Sequence, residues 1–352
     1  MRIKSPGQGR REFLTSLSAG AMGLVLSSDR ISASQNVGSK LLRGIFPIAQ
    51  TPFTESNKLD LDSLIEELRF IDRGRVHGFV WPQLASEWET LTEAERLEGA
   101  EAIASVGKKL RPAVVIGVQG PSVSAAVRYA KHADKAGADA IISLPPSHQT
   151  DAKVLLEYYQ EIGRATDLPL FVQSVGTMSV DTILEMYRSI PTLRYVKDEA
   201  GQPLARISTL REKSDDQLKV FTGSHGRTLI DEMMRGFSGS MPAASFADIY
   251  ASTWDLWHGG KEREALTMFG NAAVLINEIS IYDEGMKYIL FLRGVFKTYL
   301  LRERGPSGGV PGAALATPAS SGKEIGNHVP FDDSAKQALR RILDLMKPAL
   351  RA

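Results

Sequence analysis

Lys197 ends an apolar run, Leu193-Arg194-Tyr195-Val196-Lys197, and Asp198-Glu199-Ala200-Gly201 follow it. A strand that carries an amine at its C-terminal end can hold it where burial lowers its pKa, and a neutral amine can attack a ketone to form a Schiff base. A lone lysine at a strand end is more often a solvated charge, so the surrounding chain decides between the two. Other chemistries find little footing. The six histidines are scattered without metal-ligand spacing, so no metal is expected. There is no cysteine, which excludes disulfides, thiolate catalysis and cysteine metal sites.

The elements that would position Lys197 form a regular series. Eight short apolar runs, at residues 44–51, 78–82, 112–118, 140–144, 169–173, 193–197, 218–222 and 239–241, alternate with longer segments of helical period. Runs such as Ala113-Val114-Val115-Ile116 and Ala140-Ile141-Ile142 are apolar throughout, as strands covered on both faces are. Helices are expected at 60–73, led by a capping aspartate, at 92–108, led by the capping box Thr92-Glu93-Ala94-Glu95, and at 122–136, 151–166, 179–188, 205–214 and 228–235. Eight strands alternating with helices predict an α/β fold, a closed parallel (β/α)8 TIM barrel over 42–245 with additional C-terminal helices. A doubly wound open sheet is the alternative, and it lacks a Gly-x-Gly-x-x-Gly after an early strand. In a barrel the C-terminal strand ends face the active-site mouth, and Lys197 ends the sixth strand. Residues 246–302 read as helical throughout, 303–331 as a flexible loop rich in Gly, Pro, Ser and Ala at 305–326, and 332–350 as a terminal helix.

The chain has 352 residues, 43% hydrophobic and 24% charged, enough to bury a sizeable core. A net charge of +1 gives no reason to expect nucleic acid or an anionic membrane as a partner. Residues 1–35 carry Arg10-Arg11 ahead of a mild apolar run at 13–26. That run is too short to span a bilayer and reads as a twin-arginine export signal, with Ile31-Ser32-Ala33 as a loose cleavage site and a disordered basic tail as the alternative. On the signal reading the mature protein is periplasmic or otherwise extracytoplasmic, without a stable membrane anchor.

Several landmarks fall in a recognisable order. Gly44-Ile45-Phe46 to Thr51-Pro52-Phe53, Glu87 with Thr90-Leu91 and Glu95-Arg96, Gly137-Ala138-Asp139-Ala140 with Pro145-Pro146, Tyr158-Tyr159, Val196-Lys197-Asp198-Glu199-Ala200-Gly201, and Thr222-Gly223 together resemble the dihydrodipicolinate synthase / N-acetylneuraminate lyase family of class I aldolases. The resemblance covers about residues 42–301. It implies a Schiff base between Lys197 and pyruvate or a sugar-derived 2-keto acid, with no metal or organic cofactor, in a homo-oligomer that is commonly a tetramer. Thr51 sits where the family has a threonine near its proton-transfer network.

The departures from the family pattern are specific. The carboxylate-binding loop after strand two reads Gln83-Leu84-Ala85-Ser86-Glu87, so Leu84 and Ala85 replace its two hydroxyl residues, leaving the N–H groups of Ala85 and Ser86 as expected carboxylate donors. The proton-shuttling tyrosine falls at Ser147, with His148 beside it. The family's Tyr-Asn pair at the end of strand five is Gln173-Ser174. Ser147 and His148 are thus the expected catalytic helpers of Lys197. Ser174, His225 after strand seven and Met241 at the end of strand eight are expected at the substrate. An exported lyase (retro-aldol, dehydration or condensation) is the leading reading. A barrel that binds a keto acid or sugar acid without turnover is the alternative, and a metal-dependent lyase is weaker.

Overall fold

The computed structural model describes residues 40–147, 149–302 and 329–352. The expected export signal at 1–35, His148 and the Gly-rich stretch 305–326 lie outside the described residues. Eight parallel strands alternate with helices. They are β1 (Gly44–Ile45), β2 (Gly78–Trp81), β3 (Ala113–Gly117), β4 (Ala140–Ser143), β5 (Leu170–Ser174), β6 (Leu193–Asp198), β7 (Lys219–Thr222) and β8 (Gly239–Ser240). The helices between them are α1 (Leu61–Arg73), α2 (Glu93–Gly107), α3 (Val123–Ala136), α4 (Ala152–Arg164), α5 (Val180–Ser189), α6 (Pro203–Lys213) and α7 (Leu229–Met234).

Neighbouring strands pair in the order β1-β8-β7-β6-β5-β4-β3-β2. The last seam closes just past β1. Ile48 bridges Val80 on one side and Ala243 on the other. His77 N donates to Ile45 O (3.2 Å), Val80 N to Pro47 O (3.1 Å) and Ala49 N to Val80 O (2.9 Å). Pro47 has no N–H to give, so this edge is held by carbonyl acceptance and a short ladder rather than by a long strand. The result is a TIM barrel.

Side chains alternate across each strand with period two. One set, Phe46, Ile48, Val80, Val115, Ile142, Phe171, Phe221 and Met241, forms the apolar cluster inside the barrel. The other set, including Phe79, Trp81, Val114, Ile116, Ile141, Val172, Val196 and Val220, packs under the helices. Tyr195 stacks on Phe171 (4.3 Å between centroids) and Phe221 meets Phe46 edge-on (5.3 Å). These rings fill the barrel below its C-terminal mouth, as expected of a packed core rather than a pore.

The helices start where the sequence provides caps. The side chains of Asp60, Thr92, Ser122, Asp151 and Ser179 each accept a hydrogen bond from a first-turn N–H, and Thr92 and Glu95 form the reciprocal capping box. Residues 246–302 differ from the continuous helical expectation. They form α8 (Ala247–His258), α9 (Glu262–Ile279) and α10 (Gly285–Leu292), and residues 293–302 are not helical. Gly260, at φ +75°, takes a left-handed conformation between α8 and α9 that a side chain would disfavour. α11 (Asp333–Met346) follows, capped by Asp332. No described helix is long and apolar enough to cross a membrane.

Candidate active site

Period two along β6 determines what enters the barrel. Tyr195 faces inward, so Lys197 and then Glu199 do too, one layer at a time toward the mouth. Lys197 is 4% exposed. Its Nζ lies 2.9 Å from Glu199 Oε2. Gln173, which pairs with Lys197 in register on β5, donates from Nε2 to the same Oε2 (2.6 Å). The Ser224 backbone N–H donates to Glu199 Oε1 (2.9 Å). Gly223 makes room for this carboxylate, because a Cβ there would sit 1.9 Å from Oε1 and 2.8 Å from Lys197 Cε. Burial alone would raise the Glu199 pKa. The Lys197 charge and the three hydrogen bonds outweigh it and hold the carboxyl below its ordinary value.

Asp198 points the opposite way, toward α6. Arg206 donates to it from Nε (2.7 Å) and Nη2 (3.0 Å), and Nη2 also reaches Ser174 Oγ (3.3 Å). Ser174 therefore lies on the outer face beside Asp198, its register partner, and not at the interior position expected for a substrate contact. The physical reason is parity, since Gln173 takes the inward place on β5.

The loop after β2 is a tight 3-10 turn, Leu84–Ser86. Its hydroxyls are spent on holding it. Ser86 Oγ donates to Ala49 O and accepts from Gln83 N (3.0 Å). Thr51 Oγ1 donates to Ser86 O and accepts from Trp81 Nε1 (2.9 Å). The Ser86 N–H, expected to meet a carboxylate, donates to Gln83 O (2.8 Å). Ala85 packs against the interior apolar cluster, of which Met241 is a member. Ser147 is exposed in the turn after β4. The tyrosines of α4 turn to that strand instead: Tyr158 shares a hydrogen bond with Ser143 Oγ (2.9 Å), and Tyr159 OH donates to Ser143 O (3.0 Å).

Sequence reasoning passed over the amides. Gln50, Gln83, Gln119 and Gln173 are all buried, and they follow β1, β2 and β3 or lie near the end of β5. Gln83 Nε2 donates to Gln119 Oε1 (2.9 Å), and Gln119 Nε2 donates to Pro82 O (2.9 Å). Gln83 Oε1 and Gln173 Oε1 have no hydrogen-bond partner although both are buried. Such acceptors are costly unless something donates to them. Glu199 was equally overlooked, and the signal for it was one more step of two beyond Lys197.

His225 follows β7 in a left-handed conformation (φ 56°), and its carbonyl accepts from Tyr250 OH. Burial, with Arg227 nearby, pushes its imidazole down to about 4, so it is neutral at pH 7. Behind β7, Glu232 of α7 accepts from Thr228 Oγ1 (2.8 Å) on one oxygen, and the other has no hydrogen-bond partner. Burial pushes that carboxyl up to about 7, and the charges of Asp231 and Glu199 act in the same direction.

This arrangement has known counterparts. A sequence model described as the dihydrodipicolinate synthetase family matches residues 41–306. A 4-hydroxy-tetrahydrodipicolinate synthase of Methanosarcina mazei is 28% identical over 196 residues, 54% of this chain and 66% of that protein. The chain thus spans just under two thirds of that relative. A protein of Escherichia coli K12 named a probable 2-dehydro-3-deoxy-D-pentonate aldolase is 27% identical over 240 residues, 65% of this chain and 79% of that protein. Among solved structures, a dihydrodipicolinate synthase from Rhodopseudomonas palustris superposes with a TM-score of 0.71 at 23% identity, covering 87% of this chain and 99% of the other.

Proposed function

Since this chain belongs to the dihydrodipicolinate synthetase family, we propose that it is a class I lyase whose Lys197 amine forms a Schiff base with a 2-keto acid. The observation that carries this reading is the Lys197 Nζ itself, buried inside the barrel at the C-terminal end of β6. The amine adds to the C2 carbonyl to give a carbinolamine, which loses water to leave a protonated imine. The imine then accepts the electron pair released when a carbon–carbon bond breaks or a proton leaves C3.

The buried amides support a narrower reading of the substrate. Buried amides with unpartnered oxygens at Gln83 and Gln173 accept hydrogen bonds, and a keto acid chain bearing hydroxyl groups supplies the donors. This favours a hydroxylated, sugar-derived 2-keto acid over unadorned pyruvate. The name of the Escherichia coli relative, a keto-deoxy-pentonate aldolase, agrees in kind.

Borohydride reduction in the presence of pyruvate or a hydroxylated 2-keto acid, followed by intact-mass measurement, tests the first step. The expected result is one adduct per chain in the native protein and none in K197R. No adduct with any 2-keto acid, or an adduct that survives K197R, would overturn the proposal. An adduct without turnover on a panel of sugar acids would instead identify a barrel that binds and does not catalyse.

A further inference from the structure

Resting on the Schiff-base reading of Lys197, we infer that Glu199 is the proton carrier for that step, a catalytic role that falls to neither Ser147 nor Thr51. Four observations converge on it. Glu199 Oε2 lies 2.9 Å from the reacting nitrogen. Both of its oxygens are fixed, Oε2 by Gln173 and Oε1 by the Ser224 N–H. Gly223 leaves the space that the carboxylate fills. Two further candidates are engaged elsewhere: Ser147 is exposed, and Thr51 Oγ1 already donates to Ser86 O.

The chemistry balances within this pair. Counted from the ion pair, with the ammonium 2.9 Å from the carboxylate, a proton passes directly between the two groups without an intervening water. When a 2-keto acid enters, the ammonium gives one proton to Glu199 and the amine's lone pair forms the C–N bond at C2. The carbonyl oxygen takes a proton from the nitrogen and becomes the carbinolamine hydroxyl. Glu199 then returns its proton to that hydroxyl, which leaves as water while the nitrogen lone pair closes the C=N bond. The products are a protonated imine, one water and the original carboxylate, with no oxidant, reductant or further acid consumed.

The groups facing the pair are consistent with a carboxylate that cycles. Gln173 comes from β5, Ser224, His225 and Arg227 follow β7, and Glu232 lies on α7 behind it. Gln173 Nε2 donates to Oε2, the same oxygen that faces Lys197, so it orients the proton-accepting atom toward the nitrogen.

The test times the trapping reaction. Native protein, K197R and E199Q are mixed with pyruvate as probe, quenched with borohydride at intervals and weighed as intact chains. In E199Q, whose amide matches the carboxylate in shape, the trapping rate is expected to fall about 10²-fold or more, the usual worth of acid–base help. Its circular dichroism spectrum is expected to stay native. E199Q trapping at the native rate would overturn the role of Glu199 and leave Lys197 untouched. A native protein that forms no adduct would overturn the Schiff-base reading itself. E199A provides a second arm, because it opens the space that the carboxylate occupies. Added formate is expected to restore its trapping rate, and indifference to formate would overturn the assignment.

Discussion

Two lysines are withdrawn almost completely from solvent, Lys197 at 4% exposure inside the barrel and Lys287 at 1% on α10 outside it. Both face a glutamate, so burial and pairing do not separate them. Their remaining neighbours do. The Lys287 ammonium donates to Glu87 and to Leu300 O (2.8 Å), and it lies over the face of Phe53, 4.5 Å from the ring centroid. Glu87 also accepts from Arg302 N (3.1 Å). Lys287 thereby ties α10 and the chain near residue 300 to the loop after β2. Burial pulls its pKa down, against the pull of Glu87 and of the buried Glu67 nearby. Lys197 instead sits inside the barrel at the mouth end of β6, beside Glu199 and its partner Gln173, whose own Oε1 is buried without a hydrogen-bond partner. A buried amine becomes a reagent through where the fold aims it, and burial and pairing alone do not make one.

Exchanging the two roles would break this comparison. K197R is expected to abolish adduct formation. K287M is expected to leave the adduct per folded chain unchanged and to destabilise the fold by about 1–3 kcal/mol, because it removes the ammonium from the partly buried Glu87, which keeps only the Arg302 N–H. Denaturant unfolding of K287M alongside the trapping assay checks both halves. Loss of trapping in folded K287M would show that Lys287 shares in the chemistry.

The same contrast recurs between two buried carboxyls. Glu199 has three donors, one of them the Lys197 cation, and is held below its ordinary value, whereas Glu232 has only the neutral hydroxyls of Thr222 and Thr228 beside it and is pushed up by burial to about 7. The sign follows from linkage. Between 4.5 and 7 the folded state keeps a proton on Glu232 that the unfolded state has lost. Stability from this group is therefore present below 4.5, declines as the pH rises and is gone above 7, a swing of about 3 kcal/mol. E232Q removes the titration. Chemical unfolding is expected to find it more stable than the native protein at pH 8 by up to that amount and close to it at pH 5. An equal difference at both values would locate the effect in packing instead.

The barrel was legible because several of its strands are continuous apolar runs that no amphipathic helix would produce, and because α1 to α5 each carry a side-chain cap. The C-terminal region was less so. Apolar residues continue across Gly259-Gly260 and beyond Leu292 because the connecting segments are also packed down: Thr298 Oγ1 donates to Phe53 O (2.6 Å), and Arg302 donates to both Glu95 oxygens (2.8 Å each). Periodicity registers burial, and these breaks do not interrupt it. In the site, Lys197 was legible from its place at a strand end. Ser174 was misplaced by a single residue of parity, which on a strand is a change of face. Glu199 was missed because it lies two residues past the strand end read at Lys197, so its inward parity was not carried forward, while Asp198 points out to Arg206. The four glutamines were missed because an amide has no titration and no motif, and only contacts in space, Gln83 with Gln119 and Gln173 with Glu199, give any of them meaning.

Gln83 carries the smallest predicted effect and the sharpest reading of substrate class. Gln83 gives its N–H to Gln119 and keeps an oxygen free, so Q83M preserves length while removing the acceptor. One hydrogen bond is worth about 0.5–1.5 kcal/mol net, a factor of roughly 2 to 12 in affinity. The variant also strips Gln119 Oε1 of its donor and loses some stability, so the informative quantity is a ratio within the variant. KM for a hydroxylated 2-keto acid is expected to rise by that factor while KM for pyruvate stays put and kcat is little changed. If both KM values rise together, Gln83 shapes the loop after β2 and the hydroxyls are recognised elsewhere. If neither moves, the unpartnered oxygen faces solvent in the working enzyme, and the contrast with the Lys287 pair loses its basis at this position.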